Sequence, residues 1–356
     1  MNNMNKEKNT MIDLFCGAGI GAIGFKNAGL NIIYAIDNNK HAVSTYNKNI
    51  GNHAVLDDIR NIALKTLPDA DIISGGFPCQ SFSFSGKNLG ENDPKTGDLA
   101  DVFFQAIATK KPKAFLLENV KGLVSKKHKD FFNRLLKEFE NIGYNLNVEV
   151  INCVDYGVPQ KRQRVFVVGI RSDIKNTFHF PEKSKTVKTI RDAIGDLGEP
   201  SSYNDGSLSY PKNHYGLGIR KDEEPFIDKV PIGGNWKDIP VDDQKKFLGK
   251  SFYGKGGRTG FLRKMSFDKP SLTITSNMDG KFNAQIVDNF DKYGIDIDGI
   301  PKARRFTVRE CLRLQTVPDC FYFDDSIPLR KQYERCSGIP SSFAEKLALE
   351  IIKVIN

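Results

Sequence analysis

A cysteine, Cys79, stands a few residues past the apolar run Asp71-Ile72-Ile73-Ser74 and opens the loop Gln80-Ser81-Phe82-Ser83-Phe84-Ser85. A thiol on a small, polar loop beyond a buried strand is placed to be an exposed nucleophile, whereas most unpaired cysteines are small core residues. Acting as a nucleophile requires a thiolate near neutral pH, which nearby arginine charge and backbone amides promote. Glu118 closes the apolar run Phe115-Leu116-Leu117 and offers a carboxyl group for proton transfer if its environment raises its pKa. Arg162 and Arg164 lie two residues apart, a spacing that puts both side chains on one face of a strand. Each signal has a plain alternative: Glu118 as a salt-bridge partner, and Gln160 to Arg164 as a solvated basic patch.

A second constellation lies near the start. Gly19-Ile20-Gly21-Ala22-Ile23-Gly24 follows an apolar run and fits a dinucleotide fingerprint, with Asp37 placed for a ribose hydroxyl. The glycines begin earlier, however. Asp13-Leu14-Phe15-Cys16-Gly17-Ala18-Gly19-Ile20-Gly21 sets them at 17, 19 and 21, with Phe15 before them. That variant resembles the S-adenosylmethionine loop of methyltransferases, whose tight turn accommodates an amino-acid carboxylate. Asp58-Ile59, after Asp57, sits where a carboxylate could meet an adenine amino group. Glycines that merely pack helix against strand are the alternative.

The elements that would position these groups alternate over the first 170 residues, the pattern of a doubly wound parallel α/β sheet. Strands are expected at Met11 to Phe15, Ile32 to Ile36, Asp71 to Ser74, Phe115 to Glu118, Asn147 to Asn152 and Val165 to Ile170. Helices are expected at Ile20 to Ala28, His41 to Asn49, Asp98 to Thr109 and Lys129 to Ile142, the last with Phe131, Leu135, Leu136 and Phe139 at helical spacing. From about Phe180 the chain becomes rich in Gly, Pro, Asp, Asn and Lys, yet apolar residues recur, so a smaller loop-rich domain is expected and not a disordered linker. Helical patterns return at Val308 to Leu314 and Ser342 to Val354. The expected division is a catalytic domain over 1–178, completed by a helix at 339–356, a small domain over 179–303 and a return segment over 304–338.

The 356 residues carry a formal charge of +9, which favours a polyanionic partner because neutralising phosphates releases counterions. Six cysteines without a Cys-x-x-Cys pair indicate neither zinc nor a disulfide scaffold, so no metal is expected. No apolar run approaches the roughly 18 residues of a membrane helix, and the start lacks the apolar core of a signal peptide. A cytoplasmic protein with no membrane partner is expected.

Taken together, the motifs resemble those of the DNA (cytosine-5)-methyltransferases. They fall in family order: Asp13 to Gly21, Asp37, Asp58-Ile59, Gly76-Phe77-Pro78-Cys79-Gln80-Ser81-Phe82-Ser83, Glu118-Asn119-Val120, Gln160-Lys161-Arg162-Gln163-Arg164, and Arg309 to Gln315 before Pro318-Asp319. The resemblance implies a doubly wound, Rossmann-like methyltransferase sheet with a second, smaller target-recognition domain, acting on double-stranded DNA with S-adenosyl-L-methionine. It assigns to Cys79 the attack on carbon 6 of a flipped-out cytosine, to Glu118 a proton at ring nitrogen 3, to Arg164 cytosine oxygen 2, and to Arg162 support of the loop. For the cofactor it implies Phe15 against the adenine, Gly17 and Gly19 at the methionine end, and Asp37 on the ribose. Asp58 and Ile59 would lie at the adenine edge, Pro78 and Leu99 as lining, and Asn38 where relatives often carry a large apolar residue. Gln80, Ser83 and Lys87, within a Ser81 to Gly97 segment that suits a closing loop, are expected to touch DNA. Arg258 and Arg263 are expected to read or anchor it from the small domain.

Two departures stand out. Where the family's last motif reads Gly-Asn-Ala/Ser-Val/Ile-Pro, this chain has Cys336-Ser337-Gly338-Ile339-Pro340, either by replacement or by loss of two residues, which bears on cofactor affinity. A His-Pro pair frequent before Arg309-Glu310 is absent. Three competing readings exist: the branch that methylates a tRNA cytosine, whose Cys-Phe-Thr signature is missing here; a non-catalytic DNA-binding relative; and an NAD-dependent oxidoreductase, which leaves Cys79, Glu118 and Arg164 unexplained. A monomer is expected, with a separately acting cognate endonuclease as a possible partner. The bases recognised are not legible.

Overall fold

Short apolar runs bounded by glycine, proline and polar turns dictate a layered α/β unit, and the computed structural model contains one. It describes residues 8–78, 98–202, 210–253, 260–281, 284–294 and 302–356. Two compact units result: Met1–Tyr156, Arg162–Ser184 and Gly338–Asn356 in the first, Gly157–Lys161 and Lys185–Ser337 in the second. Residues 304–337, expected as a return segment, thus cluster with the second unit.

In the first unit the strands are β1 (Thr10–Leu14), β2 (Asn31–Asp37), β3 (Ala54–Leu56), β4 (Ile72–Gly75), β5 (Ala114–Val120), β6 (Tyr144–Asn152) and β8 (Gln163–Arg171); the two-residue β7 (Gln160–Lys161) between the last two belongs to the second unit. Among the described residues these seven make one sheet in the order β3-β2-β1-β4-β5-β8-β6. Neighbours from β3 to β5 are parallel, but β8 runs antiparallel to both β5 and β6. The doubly wound sheet expected as parallel is therefore mixed, with β8 reversed. Only residues 153–162 join β6 to β8, and a parallel crossover needs a dozen residues or more.

Helices α1 (Ile20–Asn27), α2 (Lys40–Asn49), α3 (Leu99–Lys110) and α4 (Lys129–Asn141) alternate with the strands. Phe103 of α3, Phe139 of α4, Phe115 of β5 and Tyr144 of β6 form an aromatic cluster on one face, with Val165 and Val167 of β8 in the same core. Phe166, between those valines, packs instead on Phe343 of the last helix, α11 (Ser341–Ile355), their ring centroids 5.2 Å apart. Opposite faces of β8 thus bury into opposite layers, as a period-2 strand must. The last helix also lies against α1: a Cβ on Gly24 would sit 2.0 Å from the Ser341 carbonyl oxygen, so only glycine permits this approach. A Cβ on Gly338 would lie 2.9 Å from Ile20, and one on Gly21 in ordinary contact with Ile339 at 3.5 Å, so the Gly338-Ile339-Pro340 segment seats on α1 despite its departure from the family pattern.

The second unit is built of short pieces: helices α5 (Ile190–Ile194), α6 (Glu224–Ile227), α7 (Val241–Leu248), α8 (Asn289–Tyr293), α9 (Val308–Leu314) and α10 (Leu329–Glu334). Its strands pair as β9 (Ser201–Ser202) with β10 (Tyr215–Gly216), β7 with β12 (Ser271–Leu272), and β11 (Arg263–Lys264) with β13 (Gln285–Asp288) and β14 (Ala303–Arg305). Ile227, Val230, Trp236, Ile239, Phe247 and Ile286 supply an apolar core of its own. Among the described residues, no helix is long and apolar enough to cross a membrane.

Candidate active site

Strand order reverses at β1, which has β2 on one side and β4 on the other, and open α/β sheets bind ligands at the carboxyl ends of strands flanking such a switch point. Both sequence constellations arise there: the glycine loop leaves β1, and Gly76-Phe77-Pro78 leaves β4.

The glycine loop needs left-handed backbone at Phe15 (φ 59°), Gly17 (φ 56°) and Gly19 (φ 89°). At Gly19 a Cβ would also press within 2.7 Å of Ile50, while at Gly17 the space is open. The Asp37 carboxylate accepts bonds from Gly17 N (3.0 Å) and Asn39 N (2.9 Å), lashing the end of β2 to the loop. Asn39 in turn accepts from the His41 and Ala42 amides, capping α2. Asn38 beside it is exposed. Beneath the loop Asp13 is buried and accepts a 2.6 Å bond from Ser74 Oγ. Burial pushes its carboxyl up to about 7, against the lowering effect of that bond and with a smaller upward push from Asp37.

On the far side of β2, Asp58 is gripped by Arg60 through Nε (2.9 Å) and Nη2 (2.6 Å), and Arg60 also reaches Asp98 at 3.5 Å. These bonds hold the Asp58 carboxyl below its ordinary value. The side chain expected at an adenine edge is here engaged by a neighbour. Ile59 and Leu99 are buried in the same core cluster as Phe103, and Pro78 is half-buried.

At the end of β5, Glu118 faces the strand leading towards Cys79. A Cβ on Gly76 would lie 3.3 Å from Glu118 Oε2 and 3.1 Å from its carbonyl oxygen, so glycine lets the carboxyl close in. Its neighbour Asn119 donates to the Phe77 carbonyl (3.3 Å) and accepts from Val120 N (2.8 Å), fixing the chain just before Pro78. Arg164 sits opposite Val120 in the β5–β8 ladder and therefore on Glu118's face. Glu118 Oε1 receives Arg164 Nε at 3.1 Å and Arg162 Nη2 at 3.5 Å. Arg162 is 3% exposed and Arg164 15%, so one guanidinium is a buried support and the other keeps an open edge. Carboxylate and arginines are thus brought together; the spacing of Arg162 and Arg164 had indicated only their shared face.

Cys79, Gln80, Ser83, Lys87 and Arg258 lie outside the described residues. Burial pushes the thiols of Cys16, Cys153, Cys311 and Cys336 up, Cys153 to about 11, which removes these four as thiolate nucleophiles at neutral pH. Arg263, expected to contact DNA, is half-buried on β11, and desolvation lowers its pKa.

Other motif residues turn out to be structural. Gln160 is fully buried in the second unit; its amide donates to the Leu314 carbonyl (3.1 Å) and Gln315 (3.2 Å) and accepts from Ile274 N (2.9 Å). It is no part of a solvated patch. Arg309 donates to the carbonyls of Lys212, Pro318 and Phe321, while Glu310 closes a capping box with Thr307 and takes Arg304 bidentately at 2.8 Å.

The profile of the C-5 cytosine-specific DNA methylases matches residues 9–354. The chain belongs to this family. Its members transfer a methyl group from S-adenosylmethionine to carbon 5 of cytosine in DNA, and that is the reaction of this enzyme. Among curated relatives, the Type II methyltransferase M.PspPI of a Psychrobacter species is 34% identical over 98% of this methylase and 80% of its own length. The Type II methyltransferase M.MthTI of Methanothermobacter thermautotrophicus is 34% identical over 95% and 96%. A solved methyltransferase from Entamoeba histolytica shares the fold at TM-score 0.67 and 15% identity, covering 98% of each chain.

Proposed function

We propose that this methylase acts on a specific sequence in duplex DNA through a covalent bond from Cys79 to an extruded cytosine. The supporting observation is the arrangement at Glu118: a carboxyl held by Arg162 and Arg164, pressed against Gly76, three residues before Cys79. Carbon 5 of cytosine is a weak nucleophile. The Cys79 thiolate adds to carbon 6 while Glu118 supplies a proton at nitrogen 3 and Arg164 holds oxygen 2. The enamine so formed takes the methyl group at carbon 5; water then removes the carbon 5 proton, the thiolate leaves, the double bond returns and nitrogen 3 gives its proton back to Glu118. Arg162, too buried to meet a base, keeps Glu118 aimed.

S-adenosylmethionine, when bound, supplies a methyl group activated on a sulfonium. The loop after β1 fits it: open space over Gly17, left-handed backbone at Phe15, Gly17 and Gly19, and Asp37 fixed alongside. Phe15, Asp37, Asn38, Asp58, Ile59, Pro78 and Leu99 are assigned to the adenosine end. Asp58 takes this role by releasing, or sharing, Arg60.

The second unit is assigned to target reading, with Arg258 and Arg263 on it, and Gln80, Ser83 and Lys87 to the flipped site. The likeness to proteins named as Type II methyltransferases supports a restriction-modification setting; to this the proposal adds a cytoplasmic monomer and a separately acting cognate endonuclease. Tritiated S-adenosylmethionine with duplex DNA or tRNA tests the substrate. Label is expected on DNA, and label on tRNA alone would overturn the assignment. Cys79→Ser should abolish transfer while preserving a gel shift on DNA; retained transfer would refute the role of Cys79.

A further inference from the structure

The chain leaving Glu118 carries a row of cations that the reaction scheme does not use. Residues 121–129 read Lys-Gly-Leu-Val-Ser-Lys-Lys-His-Lys, with no acid among them. Lys121, Lys126, Lys127 and Lys129 are exposed, while Gly122, Leu123 and His128 are buried and pin the segment to the first unit. Two 3-10 turns, Lys121–Val124 and Lys126–His128, carry it from the end of β5 to α4. Lys121 directly follows Val120, the last residue of β5, and its Nζ donates to Gln163 at 3.3 Å, so the row starts at the strand end that carries Glu118.

Fold stability does not account for Lys126 and Lys129. Further along α4, Arg134 pairs with Glu138 and Lys137 with Glu140, but among the described residues neither Lys126 nor Lys129 has an ion-pair partner. At the start of α4 Asp130 suits the helix dipole but is outnumbered by Lys126, Lys127 and Lys129, which oppose it, while the last turn holds glutamates and no base. A polyanion laid along the segment would reverse both penalties.

We propose that Lys126 and Lys129 grip the sugar-phosphate backbone of the substrate duplex, making this edge of the catalytic unit a sequence-independent DNA clamp. The proposal rests on the reading of Glu118, Arg162 and Arg164 as the site to which DNA is brought. Phosphate contacts carry no sequence information, so the clamp holds any duplex while other residues choose the bases.

The test is the salt dependence of duplex binding by the full-length enzyme, wild type against Lys126→Ala/Lys129→Ala. Two lost phosphate contacts should make the slope of log K on log salt shallower by about 1.8, so the affinity gap between the proteins narrows about 12-fold from 50 to 200 mM salt. KM for DNA should rise, with kcat, S-adenosylmethionine affinity and unfolding midpoint unchanged. The loss should be equal on cognate and unrelated duplexes, and Lys126→Arg/Lys129→Arg should restore binding. A slope changed by less than half a unit, or an arginine pair as weak as the alanine pair, overturns the clamp. A wild-type enzyme that binds duplex but forms no methylcytosine would instead overturn the reading of the site.

Discussion

Replacing Glu118 by Gln keeps the side chain's shape and one acceptor oxygen but removes the charge between two guanidiniums. At 3.1 and 3.5 Å the gross attraction, with an effective dielectric near 20, is about 5 kcal/mol for each arginine, most of it offset by desolvation. What matters is the uncompensated charge left behind. Arg162 is 3% exposed and cannot turn to water, whereas Arg164 retains an open edge. Removing one partner of a buried pair costs about 3–5 kcal/mol, and partial exposure of Glu118 and Arg164 puts the expected loss near 3. Catalysis should suffer separately, since an amide does not deliver a proton to nitrogen 3: kcat should fall about 10²- to 10⁴-fold. Urea unfolding followed by circular dichroism reads the first effect, and single-turnover transfer of tritiated methyl the second. If Glu118→Gln keeps kcat within threefold, Glu118 is not the proton source. If stability shifts by less than about 0.5 kcal/mol, Arg162 does not depend on it.

Three further outcomes are expected. Gly24→Ala forces a methyl into the backbone of α11, 2.0 Å from the Ser341 carbonyl, and should destabilise the protein by about 1–3 kcal/mol or more in chemical denaturation; a neutral result would refute the close α1–α11 approach. Asp13 has its native pKa raised to about 7 from an ordinary 3.8, so the folded state holds its proton longer than the unfolded chain. Its contribution therefore declines as pH rises between about 4 and 7 and is flat above. Asp13→Asn should stabilise the protein increasingly over that window, and a gap independent of pH would contradict the assigned burial. Gln160→Leu leaves the Ile274 amide and Leu314 carbonyl unpaired in the second unit and should cost about 1–3 kcal/mol for each, read as a lowered melting temperature; an unchanged one would refute the role of Gln160 as an anchor.

Much of the first unit was legible because its signals are local. Apolar runs expected to end at Phe15, Ile36, Ser74 and Glu118 end within two residues of those positions, at Leu14, Asp37, Gly75 and Val120, and the residues that follow are those an α/β switch point uses. Ala54–Leu56 escaped notice because an apolar run of three residues is too short to mark a strand; on this edge strand Val55 and Leu56 are exposed. The reversed β8 hides from hydrophobicity, which has no direction; the short link over 153–162 was the available clue. The spacing of Arg162 and Arg164 gave their shared face but not their division of labour, which depends on how deeply each is buried. The structural roles of Gln160, Arg309 and Glu310 were not legible for a related reason. Their partners lie on distant segments, Gln160 reaching Leu314 and Arg309 reaching Lys212, so polar residues that look like surface chemistry are satisfied inside the second unit. Asp58 is the converse, a residue expected to meet a ligand that Arg60 holds through a contact two residues away.

The most direct test of the account is trapping on duplex DNA in which the target cytosine carries fluorine at carbon 5. With no proton there to remove, elimination is blocked. In the presence of S-adenosylmethionine the account predicts a denaturation-resistant conjugate joined through Cys79, formed more slowly by Glu118→Gln. If methyl groups reach carbon 5 of ordinary duplex while the fluorinated duplex yields no conjugate, or a conjugate at another residue, the covalent account is wrong.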